Sequence, residues 1–346
     1  MHRCSEIVAN NEKASACPNR VLIVLACSFV ALVLGMLVSI SIGAVKVPLS
    51  TVWNAIFNFN PELHAHLIVQ ELRLPRVAAS ALVGAAFAVA GAIMQGMTRN
   101  PLADPGLLGI NAGAGFALAI CFAFFKNLPF NYLILYSFMG AAVSMGLVYG
   151  IGSMARGGLS PLRLTLAGTA VASLLIALSG GIAIYYRIDQ ELAFWYAGGI
   201  SGIKWLQIKV IFPWIILGLI GSLILSRFIT LLSLGEEVAA GLGVKVTTVK
   251  FCGGILVLIL AGASVSTVGS IGFVGLVIPH IARYLVGVDY RSIIPCSAIL
   301  GSVLMIFADI GARMVNPPNE TPIGAIITFL GVPFFLYLAR RHRRAM

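Results

Sequence analysis

Between Arg20 and Lys46 the chain runs from Val21 to Val45 without a charged residue. A helix rises about 1.5 Å per residue, so such a run exceeds the roughly 20 residues that cross ~30 Å of hydrocarbon. Comparable runs recur near 21–43, 77–97, 107–125, 132–153, 164–185, 206–232, 249–268, 271–286, 293–312 and 323–339. Lipid offers no hydrogen bonds to a backbone, which leaves helices and closed barrels as spanning structures. The runs are continuous instead of alternating over short strands, and that excludes a barrel. With 59% hydrophobic and 10% charged residues, the chain is expected to be an all-α polytopic membrane protein of about ten transmembrane helices.

The formal charge of +11 invites a nucleic-acid reading, but its distribution argues for topology. With both termini cytoplasmic, 15 of the 23 Lys and Arg fall inside and 8 outside, the asymmetry of a multi-pass protein of the cytoplasmic membrane. Lipid is therefore the expected surroundings, and nucleic acid is not an expected partner. The first apolar run is full length and follows a polar stretch, so it reads as a retained span, not a cleaved signal. This divides the chain into a cytoplasmic tail (1–20), one transmembrane domain (21–340) and a basic cytoplasmic tail (341–346). The six cysteines show no metal-ligand or redox spacing.

Two segments predict broken backbone: "RNPLADPGLLG" at Arg99–Gly109 and "GSIGFVGLVIPH" at Gly269–His280. Each follows a long span and precedes a shorter one, five spans apart, which suggests the inverted repeat common in transporters. The 37 glycines predict close helix packing. Val47–Phe57 reads as a short surface helix with Ser50 as its cap.

Against this charge-poor background "GEEVAAGLG", Gly235 to Gly243, stands out. As a helix it aligns Leu234, Val238 and Leu242 on one face and turns Glu236 and Glu237 away. It falls on the cytoplasmic side, within 233–247, and reads as a handle for a soluble partner. No glycine is directly followed by lysine, so there is no Walker A loop, and any ATP chemistry belongs to another subunit.

Arg73, Arg76 and Arg313 lie at the expected outer face. Snorkelling to lipid headgroups is the ordinary explanation; three arginines on one face also suit docking of acidic groups. Asp309 sits near the outer end of a span, where a charge needs a partner or water. Arg313 follows it at helical spacing, so a structural ion pair is expected. Gln95 is deep in the second span and predicts bonding across helices. Thr165, Thr169 and Ser173 recur every four residues along the fifth; they predict either such bonding or a polar pathway. His64 and His66 make a weak metal signal, and His280 is expected to cap carbonyls at a span end. No nucleophile, base and orienting acid form a catalytic set. Neither an enzyme nor a cofactor or metal site is therefore expected.

Taken in order, "RLPR", "GAAFAVAGAIMQGMTRNPLADPGLLGINAGAG", "GEEVAAGLG", "GSIGFVGLVIPHIAR", "ADIGAR" and "PNETPIGAIITFLGVPFFLYL" closely resemble the FecCD-type permeases of ABC importers for iron–siderophore complexes, haem and cobalamin. The likeness covers residues 21 to 340. It implies a subunit paired with a second permease, identical or similar, and served by two ATP-binding subunits. An extracytoplasmic binding protein, free or lipid-anchored, delivers substrate. It also implies that Arg73, Arg76 and Arg313 meet acidic residues of that protein, and that Leu234, Gly235, Glu236, Glu237, Val238, Leu242 and Gly243 couple to the ATPase. Thr165, Thr169 and Ser173 become pathway candidates, and Arg156–Pro161 an inner gate. Many members read Glu-Leu-Pro where this chain has Glu320, Thr321 and Pro322, a change on the outer face suited to tuning docking. The expected cargo is an iron(III)–siderophore complex, with haem or cobalamin as the alternative within the family. An ion-coupled secondary transporter and a membrane enzyme are the rivals outside it.

Overall fold

A computed structural model describes residues 18–43, 47–125, 128–154, 161–317 and 319–343. Seven helices among them are long and apolar enough to cross a membrane, and three shorter apolar helices (Ile110–Phe124, Val274–Val286, Ile323–Leu336) match the remaining runs. In chain order the helices begin with α1 (Pro18–Ser41), α2 (Leu49–Phe57) and α3 (His64–Leu67), which passes through a π turn at Ile68–Arg73 into α4 (Leu74–Thr98). A 3₁₀ turn at Pro105–Leu108 leads to α5 (Ile110–Phe124), α6 (Phe130–Met154), α7 (Pro161–Tyr186) and α8 (Asp189–Ala197). Then come α9 (Trp205–Ser233), α10 (Glu236–Gly241), α11 (Val246–Val268), α12 (Val274–Val286), α13 (Tyr290–Met314) and α14 (Ile323–Arg343). No strand occurs among the described residues.

α4 is the hub, packed by α9, α11, α12 and α13. Its most apolar stretch is 83% buried, against 11% for α1, whose Leu22, Phe29, Val30 and Leu34 point outward as lipid-facing side chains must. Pro75 follows directly on the π turn and has no N–H to offer the Gln70 carbonyl five residues back, which accepts Trp205 Nε1 at 2.8 Å instead. Small residues then let backbones touch. A Cβ on Gly84 would collide with the Gly301 carbonyl, and one on Gly91 with the Gly275 carbonyl. These contacts press α4 onto α13 and α12 at distances no other residue permits.

Both expected breaks are present. α4 ends at Arg99 in the left-handed region, φ 51°, and α11 ends at Gly269, φ 80°, followed by Phe273 at φ 66°. Asp104 Oδ1 accepts the Gly106 N–H at 2.8 Å and caps the 3₁₀ turn. The helices after the breaks are short: 15 residues in α5 and 13 in α12, about 22 and 20 Å against a ~30 Å hydrocarbon layer. The irregular backbone therefore lies within the membrane thickness and must be satisfied by protein. Asn111 Nδ2 donates to Ser270 Oγ at 3.0 Å, and the Gly199 N–H donates to the Val268 carbonyl at 2.8 Å. Pro279 has no N–H to offer the Gly275 carbonyl one turn back. Gln95 Nε2 supplies it, reaching the Gly275 and Leu276 carbonyls at 3.2 Å. The expected bond across helices from Gln95 thus repairs a proline defect.

Two local expectations are corrected. The surface helix α2 has Pro48 at its N-cap and no side-chain cap, so Ser50 is a helical residue instead. Proline already fixes the backbone entering the helix. His280 lies in mid-helix, its ring edge-on to Phe334, not at a span end, because α12 continues through Pro279 to Val286. Of the expected inner gate, Arg156–Pro161, all but Pro161 at the start of α7 lies outside the described residues.

Candidate functional site

The hub helix carries a candidate site at each end. α4 has 25 residues, about 37 Å of rise, with Arg76 in its first turn and Arg99 just past its last.

At the Arg76 end, two of the three expected docking residues, Arg76 and Arg313, meet two acids. Arg76 Nε and Nη2 both approach Asp309 Oδ1, at 2.9 and 2.8 Å, and Nη1 reaches Glu320 Oε1 at 2.6 Å. Arg313 Nη2 lies 2.9 Å from Asp309 Oδ2, the expected i,i+4 pair, although off the line of a good hydrogen bond. Arg313 Nη1 also donates to the Ser39 and Ile42 carbonyls, at 3.1 and 2.9 Å. Arg73 Nη1 donates to the Ile40 and Ser41 carbonyls. Two arginines from different elements thus serve the orphan carbonyls at the end of α1. None of the three snorkels outward: Arg73 is buried, and the side chains of Arg76 and Arg313 are only 13% and 8% exposed. Glu320 differs, with 41% of its side chain exposed. Partial burial acts to raise its carboxyl pKa, but the hydrogen bond and charge of Arg76, helped by Ser201 and Arg313, hold it below the ordinary value. A recess of about 250 Å³ opens beside this cluster, lined by Arg76, Phe194, Ser201, Glu320 and Pro322 among others.

At the opposite end the handle takes shape because glycine lets it. Gly235, φ 134°, turns the chain sharply out of α9 beside Arg99, whose guanidinium a Cβ at Gly235 would touch, and Gly243, φ 80°, turns it again before α11. Between them α10 has Glu236 and Glu237 in its first turn, where the helix dipole favours acids. Ala239 is fully buried and pins the turn, and Glu236 pairs with Lys250 Nζ at 2.7 Å. The expected single helical face is not formed, because only Glu236–Gly241 is helical and Leu234 precedes the Gly235 turn, but its three residues are open: Leu234, Val238 and Leu242 are 62%, 50% and 62% exposed.

On α7, Thr165 lines a largely apolar cavity of about 310 Å³ with Met94, Met97, Tyr149 and Leu164. Thr169 and Ser173 stand on the exposed face. Thr169 Oγ1 donates back to the Thr165 and Leu166 carbonyls, at 3.1 and 3.0 Å, so no neighbouring helix is needed to satisfy it. Near α3, His66 Nδ1 accepts the Asn60 N–H at 3.1 Å. No group of three metal-ligating side chains occurs among the described residues.

Sequence reasoning passed over Ser39, Ser201 and Lys250, and met Glu320 only as part of a motif departure. Glu320 was the one with a signal: it is one of only 12 acids in the chain and lies close after Arg313.

The sequence matches the model of the FecCD transport family over residues 31–341. The chain belongs to that family. Among FecCD relatives, it is 52% identical to the iron(3+)-hydroxamate import system permease protein FhuB of Bacillus subtilis (strain 168), over 94% of this chain and 84% of that one. It is 40% identical to the iron-uptake system permease protein FeuB of the same organism, over 92% and 96% of the two chains. A solved structure described as an inward-facing metal-chelate type ABC transporter superposes with a TM-score of 0.80 at 28% identity, covering 92% of this chain and 99% of that one. The FecCD chain described here is thus a multi-pass membrane permease of the ABC type.

Proposed function

We propose that this chain is the permease subunit of an ATP-driven importer that carries iron(III)–siderophore complexes, of the hydroxamate class, across the cytoplasmic membrane. The observation that carries the substrate is the 52% identity to the iron(3+)-hydroxamate permease across nearly the whole chain. Both termini lie in the cytoplasm, and the Arg76 end faces outward to receive a substrate-loaded binding protein. Two ATP-binding subunits engage the handle, and a second permease, a copy or a close relative, covers the exposed hydroxyl face of α7. Small hydroxyls at Thr165, Thr169 and Ser173 then solvate a passing chelate without gripping it.

The handle reading is supported by three large apolar side chains left in the open on a turn that Gly235 and Gly243 make possible and the buried Ala239 anchors. Exposed apolar clusters of this kind mark interaction sites. Of the three arginines, Arg76 has the most reachable edge; Arg73 and Arg313 contribute charge more than contact. ATP-driven closure of the soluble subunits shifts the permease between two states through the handles.

Proteoliposomes holding the complete transporter, supplied with binding protein and radiolabelled iron(III) hydroxamate, test the reading. Uptake should require ATP and stop when the ATPase is inactivated. Uptake that persists on an ion gradient alone would refute it in favour of a secondary transporter. Alanine at Leu234, Val238 and Leu242 together should uncouple ATP hydrolysis from uptake, and coupled transport in that variant would remove the handle's assigned role.

A further inference from the structure

We propose that Glu320 is an internal stand-in for a partner carboxylate, occupying the open side of the Arg76 guanidinium until an acidic side chain of the binding protein displaces it. This rests on the reading of the Arg76 end as the docking face, and adds how that face is kept closed when empty.

The two acids on Arg76 are not equivalent. Asp309 is buried on α13 and takes two of the guanidinium nitrogens on one oxygen. Displacing it would strand a buried charge, which is strongly unfavourable. Glu320 takes the third nitrogen from irregular chain between α13 and α14, and much of its side chain is already in water. An exposed ion pair of this kind is weak and exchangeable. Arg76 therefore has one permanent counter-ion and one removable one.

The surroundings are built for an exchange. The recess of about 250 Å³ opens directly onto Arg76, Ser201 and Glu320, so an entering carboxylate meets the same two donors that hold Glu320. The charge balance favours entry: Arg76 and Arg313 face Asp309 and Glu320, and Arg73 lies near enough to Arg313 to interact with its charge, so the cluster has one excess positive charge that becomes two once Glu320 swings away. Displacement also has a mechanical result. Glu320 stands just ahead of α14, and the first turn of α14 packs Gly324 against the Ala197 carbonyl. Through Arg76 and Ser201, Glu320 ties the start of α14 to α4 and to the segment between α8 and α9. Exchanging an internal carboxylate for an external one releases that tie, so docking is felt by α14 without any new contact to it.

The test titrates the assembled transporter in nanodiscs with binding protein loaded with an iron(III) hydroxamate. Glu320→Gln should tighten docking about threefold, the scale of one exposed ion pair, and Arg76→Gln should weaken it. If Arg76→Gln leaves docking unchanged, the docking face itself is wrong and the proposal falls with it. If Arg76→Gln weakens docking but Glu320→Gln does not tighten it, Glu320 is a structural staple: the exchange is overturned and the docking face stands. Should Glu320→Gln fail to assemble, Glu320→Asp loosens the 2.6 Å contact while keeping the charge, and unchanged or weaker docking in it overturns the exchange. Failure of both variants to assemble overturns it too, because a group that docking displaces cannot be one the fold requires.

Discussion

Replacing Asp309 by alanine removes the one buried carboxylate that Arg76 and Arg313 share. Arg76 would lose two contacts, at 2.9 and 2.8 Å, and Arg313 one at 2.9 Å. Breaking a buried pair by deleting one partner costs about 3–5 kcal/mol, because the remaining charge is uncompensated. Here Arg313 keeps the Ser39 and Ile42 carbonyls and Arg76 keeps Glu320, which places the expected loss near the lower end, about 3 kcal/mol. The two guanidiniums would then repel without a mediator. Unfolding by sodium dodecyl sulfate, followed by far-ultraviolet circular dichroism, measures this on the purified permease. Asp309→Ala/Arg313→Ala should recover part of the loss, since it removes one of the stranded charges. An Asp309→Ala variant within about 0.5 kcal/mol of the parent would refute the assignment of this cluster as a buried ionic core.

Three shorter predictions concern features elsewhere in the fold. Gln95→Leu takes away the donor that stands in for Pro279 and should cost about 1–3 kcal/mol, read in the same unfolding assay; a neutral result would mean that another group serves the Gly275 carbonyl. Gly84→Ala drives a methyl into the Gly301 carbonyl and should cost about 1–3 kcal/mol, with parental stability showing that α4 and α13 can part freely. The third uses pH. Because the Glu320 carboxyl is held below its ordinary value of 4.5, its contribution is fully present above that pH and lost as pH falls through the lowered value. The stability difference between the parent and Glu320→Gln should be level from about pH 5 to 8 and shrink only in more acid solution. A difference that fades between pH 8 and 6 would contradict the ion pair.

The architecture was legible because spanning lipid needs long uncharged runs, and the matched breaks were legible because proline and glycine interrupt them. The Asp309–Arg313 pair could be read from i,i+4 spacing alone. Its union with Arg76 could not, since 233 residues separate the partners and only the packing of α4 on α13 brings them together. The same limit hid Lys250 beside Glu236 and Ser39 beside Arg313. Leu234, Val238 and Leu242 were readable as apolar residues at helical spacing, but Gly235 breaks the helix between the first two and sets their exposure by turning the chain out of α9, which local pattern does not encode. Ser50 was misassigned because a hydroxyl near a helix start resembles a cap whether or not a preceding proline has taken that role.

The glycine contacts that press α4 onto α12 and α13 limit where conformational freedom can reside. Backbones in such contact cannot slide or tilt against each other without atoms overlapping, so these three helices move as a single block. Paired spin labels within the block should report one narrow separation in every nucleotide state. Labels joining the block to α7 or α14 are the ones expected to show two.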